Sequence, residues 1–189
     1  MIPGSVLTKG RLLVATPPLD DPNFDHTVVY MLEHHDEGAI GVVINRPTDE
    51  SLVDPLDRWD TLQAAPGSVF LGGPVETDAL IALALAKQPV TEPTDELSPV
   101  SGHVASADLT NDPALVAALV DSVRVFRGYA GWGPGQLEGE IEAGAWLVLD
   151  AEPEDVFAAE PDHLWRTVLR RQGGRLAWLA DAPDDLSAN

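Results

Sequence analysis

Two β-branched-rich runs, Thr27–Glu33 and Ala39–Asn45, flank the polar stretch His34-His35-Asp36-Glu37-Gly38. This pattern predicts a β-hairpin with a loop of about five residues, and it commits the front of the chain to a sheet. Arg11–Ala15 is a short apolar run stopped by Pro17-Pro18, which predicts a buried strand. The polar, Pro22-containing segment Leu19–Asp25 reads as a loop. Leu52–Leu62 is weakly amphipathic and predicts a short helix. Ser68–Leu71 reads as a strand running into the breaker Gly72-Gly73-Pro74. Asp78–Ala86 is ambiguous: its Ala and Leu content favours a helix, yet Leu83 and Leu85 alternate with alanines as on a strand.

Farther on, Lys87–Pro99 contains three prolines and reads as a loop, and Val100–Ser106 reads as a strand. Asp112 as cap, Pro113 at the first position and the stripe Leu115, Val116, Leu119, Val120, Val123 predict a helix. Val123–Tyr129 and Ala145–Leu149 read as strands, and Gly135–Ala143 as a helix. A last helix is expected from Asp162 as cap, with Leu164, Trp165, Val168 and Leu169 on one face. Arg166, Arg170 and Arg171 lie near its C-terminus, and Gly173 terminates it. The tail from Asp181 is acidic and expected to fray. The missing β-α-β alternation disfavours Rossmann and TIM architectures and leaves an α+β fold with a mixed sheet.

The 189 residues fit a single domain, 1–189. Hydrophobic content of 44% is enough for a core despite a formal net charge of −20. That charge disfavours direct nucleic-acid binding and acidic lipid surfaces. It is spread evenly, with 5 basic and 14 acidic residues in 1–94 against 6 and 17 in 95–189. With no cysteine, disulfides, thiolate metal sites and a thiol nucleophile are excluded, which fits a reducing cytosol. The Met1–Ser5 start has no signal-peptide pattern. The longest apolar run, Ala79–Ala86, is far short of the ~20 residues of a membrane helix.

Chemistry is sparse. Gly128–Glu138 (G-Y-A-G-W-G-P-G-Q-L-E) precedes a helix start and could form an anion pocket, but Glu138 and Glu140 oppose an anion there. The stretch also lacks the Lys and Ser/Thr of a Walker loop, so a tight turn with Trp132 packed on the core is the simpler reading. His34 and His35 point to opposite faces of a strand and read as a solvated turn rather than a metal site. Ser101, His103 and Asp108 are close in sequence, which says little about a triad. Glu138 and Glu142 form one of many chance acidic pairs. Arg46 and Arg127 each precede a turn; ion pairing is the simpler reading, and recognition of an anionic group the alternative. The best basic cluster is Arg166, Arg170, Arg171 and Arg175, and it is small.

The segments G-R-L-L-V-A-T-P-P-L-D-D-P-N-F (Gly10–Phe24), G-A-I-G-V-V-I-N-R-P (Gly38–Pro47), L-G-G-P-V (Leu71–Val75) and G-Y-A-G-W-G-P-G-Q-L-E-G-E-I (Gly128–Ile141), followed by Ala145-Trp146-Leu147, resemble the YqgE/AlgH family. The resemblance covers nearly the whole chain in order; Ala86–Asp108 and the tail after Gly174 match poorly. It implies a bacterial cytoplasmic protein with a bifurcated or barrel-like sheet surrounded by helices, and it turns Asp78–Ala86 toward a strand. Family members are often labelled transcriptional regulators. The family supplies no catalytic residue, metal or cofactor, so none is expected. The ligand-binding candidates are Asn45, Arg46, Gly72, Gly73, Pro74, Arg127, Gly131, Trp132 and Gln136. The expected role is a non-enzymatic regulatory or interaction factor whose partner is another protein. A small-ligand binder or enzyme with a pocket near the Gly128–Gln136 turn is the alternative, and direct DNA binding ranks last.

Overall fold

The computed structural model describes residues 7–17 and 26–181; the expected loop Leu19–Asp25 and the acidic tail after Asp181 lie outside them. The strands are β1 (Arg11–Ala15), β2 (Val28–His35), β3 (Gly38–Val43), β4 (Phe70–Leu71), β5 (Val75–Ala86), β6 (Leu97–Ser101), β7 (Val104–Ala107), β8 (Val120–Trp132) and β9 (Trp146–Asp150). The α-helices are α1 (Pro113–Ala117), α2 (Gln136–Glu142), α3 (Leu164–Gln172) and α4 (Gly174–Asp181). In space the strands run β6-β7-β5-β8-β3-β2-β1-β9. These neighbours pair antiparallel, while β4 lies beside β8 in parallel.

Strand periodicity puts both faces of the β1–β2–β3 region to use. Leu12, Val14, Val28, Tyr30, Val42 and Ile44 pack with Trp165, Val168 and Leu169 of α3. Leu13, Val29, Met31 and Val43 pack on the other side with Leu137 of α2, Trp132 and Trp146. The Trp165 indole N–H donates to the Ala15 carbonyl at 2.9 Å and fixes α3 on its face. Beneath β5, β7 and β8 a third group gathers Ala82, Ala84, Ala105, Val123 and Val125 around Trp59.

The sheet curls into a half-barrel. Val104 of β7 belongs to the same core as Leu12 and Tyr30, at the far end of the strand order. Tyr30 is hydrogen-bonded to Ser101, and burial pushes its phenol up to about 12, so it stays protonated at neutral pH.

Arg124 of β8 is buried and fastens two loops. Its guanidinium donates to the carbonyls of Val156 (2.9 Å), Ala158 (3.0 Å), Ala64 (3.3 Å) and Ala65. It also stacks over the Phe70 ring, 4.2 Å from the centroid. Burial lowers its pKa to about 10, which still leaves it cationic at neutral pH. Five donors in a planar fork suit this arrangement, and a lysine could not span it.

Several elements differ from the sequence expectations, each for a physical reason. The hairpin turn is two residues, Asp36 and Glu37, rather than five, because pairing continues to His35 opposite Gly38. Asp78–Ala86, by contrast, is strand within β5, as the family resemblance implied. Val100–Ser106 is not one strand, since Gly102 (φ +54°) turns the chain between β6 and β7. Leu52–Leu62 yields a 3-10 helix at Leu56–Leu62. Asp112 caps α1 by accepting from the Ala114 N–H at 3.0 Å, but the helix ends at Ala117. Val120 is already opposite Ala86, so long-range pairing with β5 overrides the helical stripe and leaves Leu115 and Leu119 exposed. Asp162 does not cap α3; it lies inside a 3-10 turn, Pro161–His163, that leads directly into the helix. Gly173 (φ +72°) ends α3 as expected, yet a further helix, α4, follows at once.

Replacing Arg124 with Met keeps the volume and strands the carbonyls that the guanidinium satisfies. Arg124→Met should lower stability by about 3 kcal/mol, and Arg124→Lys should rescue less than half of that loss. Urea unfolding measures both, and a loss under about 1 kcal/mol would contradict the fastening role.

Candidate functional site

Three of the sequence motifs meet side by side. The Leu71 N–H donates to the Arg46 carbonyl at 2.9 Å, and the Gly72 N–H to the Arg127 carbonyl at 2.8 Å. The Val43 N–H in turn donates to the Gly72 carbonyl at 2.8 Å. Leu71-Gly72 is thus a wedge between β3 and β8, at the point where β8 passes from β5 to β3 as its partner. The glycines there are dictated by backbone contact. A Cβ on Gly72 would meet the Gly128 carbonyl oxygen, and one on Gly73 would fall on the Tyr129 carbonyl group. Gly128 (φ +73°) needs the left-handed region, and its own Cβ would strike the Gly73 carbonyl.

The side chains at this junction are engaged in holding the chain. The Asn45 amide accepts from the Val28 N–H and donates to the His26 carbonyl, both at 3.0 Å, so it fixes the entry into β2. Arg127 pairs with Glu50 at 3.0 Å and donates to the Thr77 carbonyl at 3.3 Å. Pro74 is exposed at the start of the turn into β5. Asn45, Arg46, Gly72, Gly73 and Arg127 therefore come together as backbone neighbours, and the junction they make is filled by the chain itself.

Gly131, Trp132 and Gln136 lie at the other end of β8. Trp132 is 6% exposed and packs edge-on against Trp146, with ring centroids 6.0 Å apart. The Gly133 N–H donates to the Gln136 side-chain oxygen at 3.0 Å, which closes the turn into α2. Gly131 stands opposite Ile40 in the β3–β8 ladder. A Cβ there would make only ordinary contacts, 3.6 Å to the Tyr129 ring and 3.9 Å to Val75. Nothing in the fold requires a glycine at 131.

Sequence reasoning placed His34 in a solvated turn, and the structure overturns this: His34 is 4% exposed. The Thr8 N–H donates to its Nδ1 at 3.3 Å, Thr8 Oγ1 lies 2.9 Å from the same nitrogen, and Nε2 bonds Glu138. With Nδ1 accepting from the Thr8 N–H, Nε2 is left to donate to Glu138. Hydroxyl, imidazole and carboxylate stand in the order used for nucleophilic catalysis. However, Thr8 is fully buried, so no substrate reaches it, and the chain of bonds instead ties the segment before β1 to β2 and α2. The available signal was the alternation itself, since extending β2 to residue 35 sends adjacent histidines to opposite faces. His35 is exposed and pairs with Glu33 at 2.9 Å. His26 packs edge-on against Trp165 at 4.5 Å.

The remaining candidates separate. Ser101 bonds Tyr30, the His103 ring lies 2.9 Å from the Ala86 carbonyl, and Asp108 accepts from the Thr110 hydroxyl at 2.6 Å. Arg170 pairs with Asp181, and Arg171 grips Asp155 with two bonds of 2.9 and 2.7 Å. Among the described residues no group of three or more His, Asp or Glu side chains is placed to hold a metal ion. Among the described residues no helix is long and apolar enough to cross a membrane.

Two concavities border the motifs. A cleft of about 590 Å³ lies between Pro47-Thr48-Asp49, Pro66, Ser68 and the Ala159–His163 segment. A hollow of about 250 Å³ at the hairpin end is lined by Glu33, His35, Glu37, Gly38, Ala39, Ile40 and Trp132.

The two kinds of motif glycine make opposite forecasts. Gly73→Ala should destabilise by about 3 kcal/mol or more, because backbone must move. Gly131→Ala should stay within about 1 kcal/mol of the parent. Thermal and urea unfolding of the pair checks the assignment; equal losses would refute it.

The comparisons with known proteins agree with this architecture. The AlgH-like family matches residues 12–177. A UPF0301 protein of Streptomyces avermitilis is 49% identical over 182 residues, covering 95% of this chain and 94% of its own. One from Mycobacterium tuberculosis is 44% identical over 181 residues, with 95% and 90% covered. The crystal structure of a Corynebacterium diphtheriae protein superposes with a TM-score of 0.87 at 29% identity, covering 93% of each chain. The solution structure of AlgH from Pseudomonas aeruginosa gives 0.68 at 31%, covering 95% of this chain and 96% of that one. The family match over residues 12–177, the near-half identity to its relatives and the shared half-barrel place the chain in the AlgH-like UPF0301 family.

Proposed function

We propose that this chain is a non-enzymatic regulatory factor of the bacterial cytoplasm that acts by binding another protein and not by contacting DNA. The observation that carries the reading is the hollow at the hairpin end. Its floor is apolar, it opens onto solvent, and at about 250 Å³ it falls below the roughly 300 Å³ where small-molecule pockets begin. A single anchoring side chain is the occupant of that scale. The junction motifs support the reading from the other side, because backbone packing and ion pairing already occupy their residues. The net charge of −20 repels phosphate, and Arg170 and Arg171 of the best basic cluster are held by carboxylates.

Capture from the lysate of a bacterium carrying this family tests the proposal. The full chain should retain a nuclease-resistant protein partner that Ile40→Ser loses, and it should not shift DNA in a gel at low salt. A salt-sensitive DNA shift, or an identical partner set for the variant, would count against it.

One observation favours a second reading, a small-ligand binder: the cleft beside the Asn45-Arg46-Pro47 motif has small-molecule size, about 590 Å³. A thermal-shift screen with nucleotides, amines and metabolites tests it. A ligand at 100 times its dissociation constant should add about 2.7 kcal/mol, and a silent screen would remove this reading.

A further inference from the structure

We infer that the sheet face around Ile40 and Gly131 docks a basic segment of the partner protein, anchored by one apolar side chain. The inference rests on the interaction reading above and adds the chemistry of the partner. The motif glycines fall into two kinds. Gly72, Gly73 and Gly128 are required by backbone contact, whereas a Cβ on Gly131 would meet nothing closer than 3.6 Å. Gly131 is exposed, and it stands directly opposite Ile40, itself 39% exposed. Residues paired across a ladder share a face, so the missing side chain leaves a flat gap beside the isoleucine. The Tyr129 ring and Val75 border that gap. A partner backbone can approach closely there while its side chain enters the adjoining hollow.

Carboxylates outnumber cations around this apolar centre, with Glu33, Glu37 and Glu76 against Lys9. Glu33 and Glu37 line the hollow, and among the described residues His35 is its only basic lining residue. Lys9 and His35 both pair with Glu33, at 3.2 and 2.9 Å. Glu76, hydrogen-bonded to Tyr129, adds a further carboxylate on the Gly131 side. Such a rim attracts lysine and arginine and rejects acidic segments. A second copy of the chain is disfavoured for the same reason, because a two-fold contact would set acidic rim against acidic rim.

The test uses the full chain and a fluorescein-labelled decapeptide with a central leucine flanked by lysines and arginines. Two controls replace the leucine with serine or the basic residues with glutamate. The basic leucine peptide should bind about tenfold more tightly than either control, and Gly131→Val should weaken it about tenfold with an unchanged melting temperature. Amide shifts should centre on Glu37, Ile40, Tyr129 and Gly131. Equal binding of the serine control, unchanged binding to Gly131→Val, shifts centred elsewhere, or no binding would each overturn the inference. The two levels fail differently. If the glutamate peptide moves the same amides as strongly, the face remains a protein-binding site and only the basic partner falls. If no peptide binds and Ile40→Ser retains every lysate partner, the interaction reading falls as well.

Discussion

The close passage of Leu71-Gly72-Gly73 against β8 is the constraint from which the rest of the architecture follows. One strand of thirteen residues cannot serve two differently oriented ladders without a bend, and β8 bends where Gly128 adopts φ +73°. Opposite that point β5 carries a register shift between Val75 and Leu80, with Glu76 at φ +47°. Up to Tyr129 β8 pairs with β5, and from Ala130 onward with β3, while the wedge hydrogen-bonds to both sides of the opening. A methyl group at Gly72, Gly73 or Gly128 would push these backbones apart and separate the two halves of the sheet. The pattern L-G-G-P-V together with G-Y-A-G is thus read most economically as the specification of a branch point.

Arg124 complements that branch point. A buried cation would ordinarily be matched with a carboxylate, and this chain has 31 acidic residues to choose from. Carbonyl oxygens of two loops surround it instead. The arrangement spreads the charge over neutral acceptors and satisfies backbone groups that would otherwise be stranded beneath the sheet. It also binds the segment before β4 to the segment before α3, so the two sides of the 590 Å³ cleft are fixed relative to β8. Stability and the shape of that cleft are coupled through one side chain.

How much of this was legible in the sequence follows from which interactions are local. β1, the β2–β3 hairpin, the cap of α1 and the amphipathic face of α3 announce themselves, because periodicity and capping act within a few residues. The premature end of α1 was hidden, since only the pairing of Val120 with Ala86 decides it. The split of Val100–Ser106 turns on Gly102, a single residue inside an otherwise continuous run. For the site, the motifs were visible but their division into two groups was not. Whether a glycine is demanded by a neighbouring backbone depends on what lies across from it, and Gly72 and Gly131 look alike until their surroundings are known. Arg124 offered a fainter signal, an arginine inside the apolar run Val123–Phe126, where burial on both faces leaves no route to solvent.

The acidic coat and the ion pairs beneath it bear on function in different ways. Arg127 with Glu50, Arg171 with Asp155 and Glu152, Arg11 with Asp150, Arg58 with Asp112 and Arg170 with Asp181 are contacts within the fold, and with the buried Arg124 they spend most of the available guanidinium on the protein itself. What remains outward is carboxylate in excess, an electrostatic term that acts against the approach of polyanions. An even coat alone chooses no partner. Selectivity requires a place where the repulsive surface is interrupted by something that rewards close approach, and the Ile40–Gly131 face is such an interruption. There an apolar floor and a carboxylate rim lie beside a flat stretch of backbone at Gly131, a position where the fold does not demand a glycine.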